Sequence, residues 1–328
     1  MTDENLFTFA HVTDTHLWSP TNTHVDASER ILCNYQNDVL TPLVQSLNAE
    51  SEHPRPDFVV FGGDNIHGDY NDFSMCEVET RMLKERLDEL EIPYVSIVHN
   101  HDTWGEDAVS SEMIRHSVWM PPPQHVWREP YAGTHYRRFF GDDAPCFTRT
   151  MPGDFVCIFM SEQYVEPETG TFITLETKLA WLDEKLKQAE GKHVLLFTHV
   201  PLMWPRHTLT HSLWPDDTDQ DGKFMMDHRA AFRVRELLAA HGNVVAHYSG
   251  HAHVHSHFQS EGTHFIGTAG LYNEPAEYRL VRVTRDRITH QCVHPAAMPA
   301  CRTNATLGSG IKMPLQLICE PRFLRLGI

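Results

Sequence analysis

Asp14-Thr15-His16, Asp64, Asn100-His101-Asp102, His199 and His251-Ala252-His253 are five separate groups of oxygen and nitrogen donors. Seven of these residues, Asp14, His16, Asp64, Asn100, His199, His251 and His253, are candidate metal ligands. That is more than one tetrahedral ion uses, so the economical reading is two ions with a carboxylate such as Asp64 bridging them. The absence of cysteine from the set favours Mn2+, Fe2+/3+, Zn2+ or Co2+ over softer metals. Asp14 and His16 stand two residues apart, so in an extended backbone their side chains leave the same side of the chain and can share an ion. His251 and His253 repeat that spacing. Two such ions about 3.5–4 Å apart can hold a hydroxide in line with a phosphorus centre and stabilise both the entering and leaving oxygens.

Each group follows an apolar run. Leu6 to Val12, Asp57 to Gly62, Tyr94 to Val98, His193 to Thr198 and Val244 to Ser249 are rich in Val, Ile and Phe and read as short buried strands. Helical patterns lie between most of them. Ser28 to Glu50 places Ile31, Leu32, Tyr35, Val39, Leu43 and Leu47 on one side, and Asp72 to Glu91 carries Met82, Leu83, Leu87 and Leu90 among charges. Thr174 can cap a helix from Leu175 to Glu190 that stops at Gly191, and Asp227 and Gly242 bracket a fourth. Strands alternating with helices predict an α/β sheet whose ligand crevice lies at the carboxyl ends of the strands, where the donors stand.

Order and spacing carry a resemblance. Asp14-Thr15-His16, Gly63-Asp64, Asn100-His101-Asp102, His199 and Gly250-His251-Ala252-His253 resemble, in sequence, the signature of the calcineurin-like metallophosphoesterases over about residues 5–290. The resemblance implies a four-layer α/β/β/α sandwich of two mixed sheets flanked by helices, with a dimetal site at the strand ends. It implies that Asp14, His16 and His253 bind one ion, that Asp64 bridges, and that Asn100, His199 and His251 bind the other. His101 would contact the phosphate and assist the leaving oxygen, with Asp102 orienting or tuning it; an imidazole beside a carboxylate suits proton donation near neutral pH. The chain departs from the signature at His99, where the family has glycine. His99 either tolerates the turn or sends its ring into the substrate pocket or toward the second ion. Asp14-Thr15-His16-Leu17, Thr198 to Leu202 and the Glu176 to Leu186 helix segment resemble the bacterial cyclic-nucleotide and glycerophosphodiester phosphodiesterases more than protein phosphatases, so small phosphodiesters are the expected substrates, phosphomonoesters or another dimetal hydrolysis the alternative, and a non-catalytic scaffold the third reading.

The remaining features bound the picture. The 328 residues suffice for one large domain, expected over 1–294, with a proline-broken extension over 295–328 that packs on the domain or on a partner subunit. With 44 acidic and 27 basic side chains the formal charge is −17, which argues against a surface that grips nucleic acid or anionic membranes. The acidic Met1 to Asn5 segment offers no signal peptide and no run is long enough to span a membrane, while seven scattered cysteines without a CxxC pair suit free thiols in a reducing compartment. The expected location is therefore cytoplasmic. Asn304-Ala305-Thr306, a glycosylation sequon, is discounted for the same reason.

Residues 103–145 and 202–226 follow ligand-bearing strand ends and are rich in Trp and Pro, so they are expected to wall the site. Trp104 and Trp204, with His67 and His99, are the candidate substrate contacts. The acidic run from Asp216 to Asp221 lacks the glycine and final glutamate of a calcium loop and reads as a solvated turn. Among 24 histidines, His11, His247, His255 and His257 read as structural.

Overall fold

The structure is a computed structural model. It describes residues 4–21, 39–49, 53–68, 73–103, 139–140, 146–161, 175–203, 228–271, 276–295 and 323–325. Two mixed six-stranded sheets form its centre. In the first, β1 (Asn5–Val12) is parallel to β2 (Phe58–Phe61), which is parallel to β3 (Tyr94–Ser96). On the other side of β1, β10 (Tyr278–Thr284), β11 (Arg287–Val293) and β12 (Phe323–Arg325) follow as antiparallel neighbours. The second sheet runs β4-β5-β6-β7-β9-β8, with β5 (Phe155–Met160), β6 (His193–Phe197), β7 (Val244–Ser249) and β9 (Thr263–Gly267) parallel in series. Its edges are the antiparallel β4 (Cys146–Met151) and β8 (Ser256–Ser260).

The apolar runs are continuous because both faces of each central strand are covered. Phe7 and Phe9 of β1 and Phe58 and Val60 of β2 meet Phe155, Phe159, Phe197 and Tyr248 between the sheets. The alternate residues, Ala10, Val12, Val59 and Phe61, pack outward on the helical residues 39–48 and on α1 (Phe73–Leu87) through Val39, Leu43, Leu47, Leu83 and Leu87. On the second sheet, Val194 and Leu196 face α3 (Leu175–Gln188) and α4 (His228–His241) through Leu182, Leu186, Val234 and Leu238. The order helix, sheet, sheet, helix is thus the expected four-layer sandwich. Each fully buried Phe or Leu contributes about 1.5–3 kcal/mol to holding the layers together. The short α2 (Asn100–Thr103) follows β3 directly.

Among the described residues no helix is long and apolar enough to cross a membrane. Cys76 and Cys157 are buried, and Cys146 and Cys292 are partly buried. The stretches 104–138 and 204–227, the acidic run and most of 296–328 lie outside the described residues.

Candidate metal centre

Parallel pairing brings the ends of β1, β2 and β3 to one edge of the first sheet, and those of β6 and β7 to one edge of the second. The loops leaving these ends are bolted together by their backbones. Asp14 N–H donates to Gly63 C=O, His16 N–H to Asp64 C=O and Leu17 N–H to Asn65 C=O, all at 3.0 Å, and Gly250 N–H donates to His199 C=O at 2.8 Å. A further bridge between Leu17 and Ile66 continues the pairing past the donors.

The expectation that Asp14 and His16 share an ion through an extended backbone is corrected here. Asp14 has φ 51° and His16 φ 43°, and His251 and His253 have φ 64° and 54°. With Asp64 at 50°, five of the eight non-glycine residues in the left-handed region among the described residues are candidate ligands. That region costs an L-residue about 1–2 kcal/mol, and such residues persist only where surrounding bonds over-determine them. The cross-loop hydrogen bonds supply that constraint.

The side chains converge. Asp14, His16 and His253 place donor atoms within 4.8 Å of one another, as do Asp64, His99, His199 and His251, and as do His16, His67 and His101. Asp14 Oδ1 lies 3.1 Å from His253 Nε2, 3.6 Å from His199 Nε2 and 3.9 Å from His16 Nε2. Asp64 Oδ2 lies 3.1 Å from His199 Nε2, and its Oδ1 3.1 Å from His99 Nδ1. Both carboxylates are accordingly in reach of His199.

The donor chemistry fits cations. His199 Nδ1–H donates to Gly62 C=O at 2.7 Å, so Nε2 of the neutral ring is a lone pair aimed at two carboxylates. His16 and His253 bring their Nε2 atoms to 3.2 Å. Imidazole nitrogens and carboxylate oxygens gathered at such distances are the donor types a divalent metal ion takes. Burial holds His16 well below its ordinary pKa, aided by His101 and His253, and takes His251 down to about 4, so these rings are neutral and ligand-ready at pH 7. Burial opposes ionisation of Asp14 and Asp64, but the histidines outweigh it and both carboxyls stay below their ordinary range: His253 and His199 act on Asp14, and His199, His101 and His99 on Asp64.

Three expected roles change. His99, a candidate substrate contact, is fully buried with its ring 4.1 Å from that of His199 and 5.3 Å from that of His251. It is also outside the left-handed region, so the backbone does not need glycine there. The expected pairing of Asp102 with His101 is replaced by another partner, for His101 Nδ1–H donates to His67 C=O at 2.6 Å. Asp102 Oδ1 instead accepts from the Asn65 and Ile66 N–H groups at 2.9 and 3.1 Å, and its Oδ2 from His99 N–H at 3.0 Å and from the Asn65 amide. Burial and the nearby Asp64 charge push Asp102 up to about 8, while those N–H donors favour its carboxylate. Thirdly, His101 lies below the range of an acid ready at neutral pH, at about 4, chiefly through burial.

His67 is partly buried, with its ring 5.5 Å from that of His101 and 5.8 Å from that of His16. Asn100 opens α2, and its side chain, Trp104 and Trp204 lie outside what is described. His255 Nε2 lies 3.1 Å from Glu277 and His257 Nε2 2.9 Å from His264 Nδ1, away from the converging donors. His11 bonds Thr268 and His247 bonds Thr198, each at 2.7 Å. Among the described residues, His99, His67 and His101 join donor groups in which residue spacing did not place them; the signal for His99 was a histidine directly following a buried apolar run.

A sandwich of two mixed sheets with paired carboxylates and imidazoles at the strand ends defines a dinuclear metallohydrolase class. The chain belongs to the calcineurin-like phosphoesterase family, whose model matches residues 7–255 and so spans every donor above. Members of that family act on phosphate esters at a dinuclear metal centre. A dimetal phosphatase from Danio rerio superposes with a TM-score of 0.53 at 16% identity, over 88% of this chain and 96% of that one. The inner-membrane-complex anchor of Plasmodium gives 0.49 at 12%, over 90% and 87%, and the phosphopantetheinyl hydrolase of Mycobacterium tuberculosis 0.44 at 13%, over 90% and 99%. At these identities the likeness is one of fold. None of the curated proteins matches the chain.

Proposed function

We propose that the protein hydrolyses small phosphodiesters in a reaction that depends on two bound metal ions. The observation that carries the reading is the position of Asp64, whose carboxylate lies within 3.1 Å of one donor group while His199 reaches both it and Asp14. Asp14, His16 and His253 would hold one ion, and Asp64, His199 and His251, with Asn100, the other. The pair would supply charge that acidifies a water molecule and balances the phosphate oxygens.

The chain's own groups do the rest. His101 gives its Nδ1–H to the His67 carbonyl, and its Nε2 would serve the substrate. The ring is neutral in the free site, and an anionic phosphate ester beside it favours its protonated form, so that Nε2 can pass a proton to the leaving oxygen. His67, whose ring lies 5.5 Å from that of His101 and 5.8 Å from that of His16, would contact the phosphate. Asp102 acts by tying the His101 segment to the Asp64 loop.

The preference for diesters rests on the likeness of the residue 14–17 and 198–202 segments to bacterial phosphodiesterases. Purified protein reconstituted with Mn2+, Fe2+, Zn2+ or Co2+ should turn over bis(p-nitrophenyl) phosphate faster than p-nitrophenyl phosphate, and Asp64→Ala should abolish both. Faster monoester turnover would replace diesterase by monoesterase, and no metal-dependent turnover would remove the enzymatic reading.

A further inference from the structure

We propose that His99 is a direct ligand of the second ion, joining Asp64, His199 and His251, with Asn100, around it. The inference rests on the dimetal reading and deepens it. The donor atoms of these four residues all lie within 4.8 Å of one another. His99 Nδ1 stands 3.1 Å from one oxygen of Asp64, and His199 Nε2 stands 3.1 Å from the other. Ligands bonded to one ion at about 2.0–2.2 Å stand roughly 3 Å apart, so both imidazoles already occupy ligand spacing about the same carboxylate.

Burial excludes the competing role. With no exposed surface, the His99 ring cannot meet a substrate entering from solvent. Its backbone is pinned on both sides: His99 N–H donates to Asp102 Oδ2 at 3.0 Å, Asp102 N–H donates to His99 C=O at 3.0 Å, and Val98 N–H donates to Ser161 Oγ at 3.0 Å. Asp102 also accepts from Asn65 and Ile66, next to Asp64, so it is a positioning residue that fixes His99 relative to the carboxylate they share. Three imidazoles on one ion favour Zn2+ or Fe2+ over Mn2+, which prefers oxygen donors.

The competing arrangement is a His99 that only donates a hydrogen bond to Asp64. Both roles weaken metal binding when lost, since removing a ligand's hydrogen-bonding partner costs about 10–100-fold in affinity. The discriminating probe is therefore Co2+, whose ligand-field bands report the atoms bonded to it. Wild-type protein should take up two equivalents of Co2+. His99→Ala should keep the first, bind the second at least 10-fold more weakly, and change the bands of that second equivalent in energy and intensity. His99→Gln, which fills the site and can still bond Asp64, should fold with a wild-type circular-dichroism spectrum and show the same altered bands. A second equivalent with wild-type bands in either variant overturns the assignment. Wild-type protein that never takes up a second equivalent overturns the dimetal reading itself.

Discussion

Gly63→Ala puts a single methyl group against a candidate ligand, and its cost can be worked from the structure. Gly63 has φ 98°, and a Cβ built there would lie 2.7 Å from His199 Nδ1, 2.9 Å from its Cγ and 3.1 Å from its Cβ. The atoms in the way belong to a ring that is fully buried and held by the 2.7 Å bond to Gly62 C=O. Backbone strain at a positive φ costs about 1–2 kcal/mol. Displacing the ring leaves buried polar groups unsatisfied, at about 1–3 kcal/mol, so the total is roughly 2–5 kcal/mol in the metal-free protein. Gly191→Ala is the control, because Gly191 has φ 74° and nothing within 4 Å of the added methyl; it carries the strain alone, about 1–2 kcal/mol. Urea unfolding of both variants, with midpoints compared at constant slope, isolates the collision. A displaced His199 should also weaken the second equivalent of Zn2+ about 10–100-fold in a calorimetric titration, with Gly191→Ala unchanged. A Gly63→Ala protein no less stable than the control, with wild-type affinity for the second equivalent, would refute the placement of the His199 ring.

Replacing His101 with Ala should lower kcat by about 10²–10⁴-fold while both metal equivalents are retained by elemental analysis; loss of metal together with activity would make it a ligand instead. Burial takes His11 and His247 down to about 3, from an ordinary value of 6.5 that the unfolded chain keeps. Their contribution to stability is therefore complete above pH 6.5 and is lost as pH falls toward 3, at about 1.4 kcal/mol per pH unit for each ring. His247→Gln should flatten the metal-free stability curve between pH 6 and 4 by that amount, and an unchanged slope would show that His247 is not neutral in the fold. Chelation should abolish activity, and Zn2+ at about 100 times its dissociation constant should restore about 2.7 kcal/mol of stability; equal melting of the two forms would mean that no ion binds the folded state selectively.

The five strand runs were legible because their strands are covered on both faces. Phe9 and Val12 of β1 are buried on opposite sides, so the run has no polar alternation to confuse it. Where that condition fails, so does the reading. β8 and β9 carry Ser, His, Gln and Thr, and the three residues of β12 are too few for any periodicity; long-range pairing, not local pattern, makes them strands. The donors were legible by type and order, but the backbone that aims them was not. Left-handed conformations at Asp14, His16, Asp64, His251 and His253 have no glycine to mark them, because the residue that must bind also has to take the turn.

The same separation of type from geometry explains Asp102 and His99. Adjacency along the chain pairs Asp102 with His101, but α2 begins at Asn100, and the carboxylate of Asp102 turns back to cap the His99 and Asn65–Ile66 amides. His101 is left to the carbonyl of His67, which comes from a different loop. Residue 99 lies outside the left-handed region, so a side chain there is unstrained, and the His99 ring lies in the buried space beside Asp64. The imidazole lies there 3.1 Å from the Asp64 carboxylate, with the rings of His199 and His251 at 4.1 and 5.3 Å, which is where the proposed second ion would sit. The substitution that departs most from the family's sequence pattern is for that reason the one that bears most directly on the second ion.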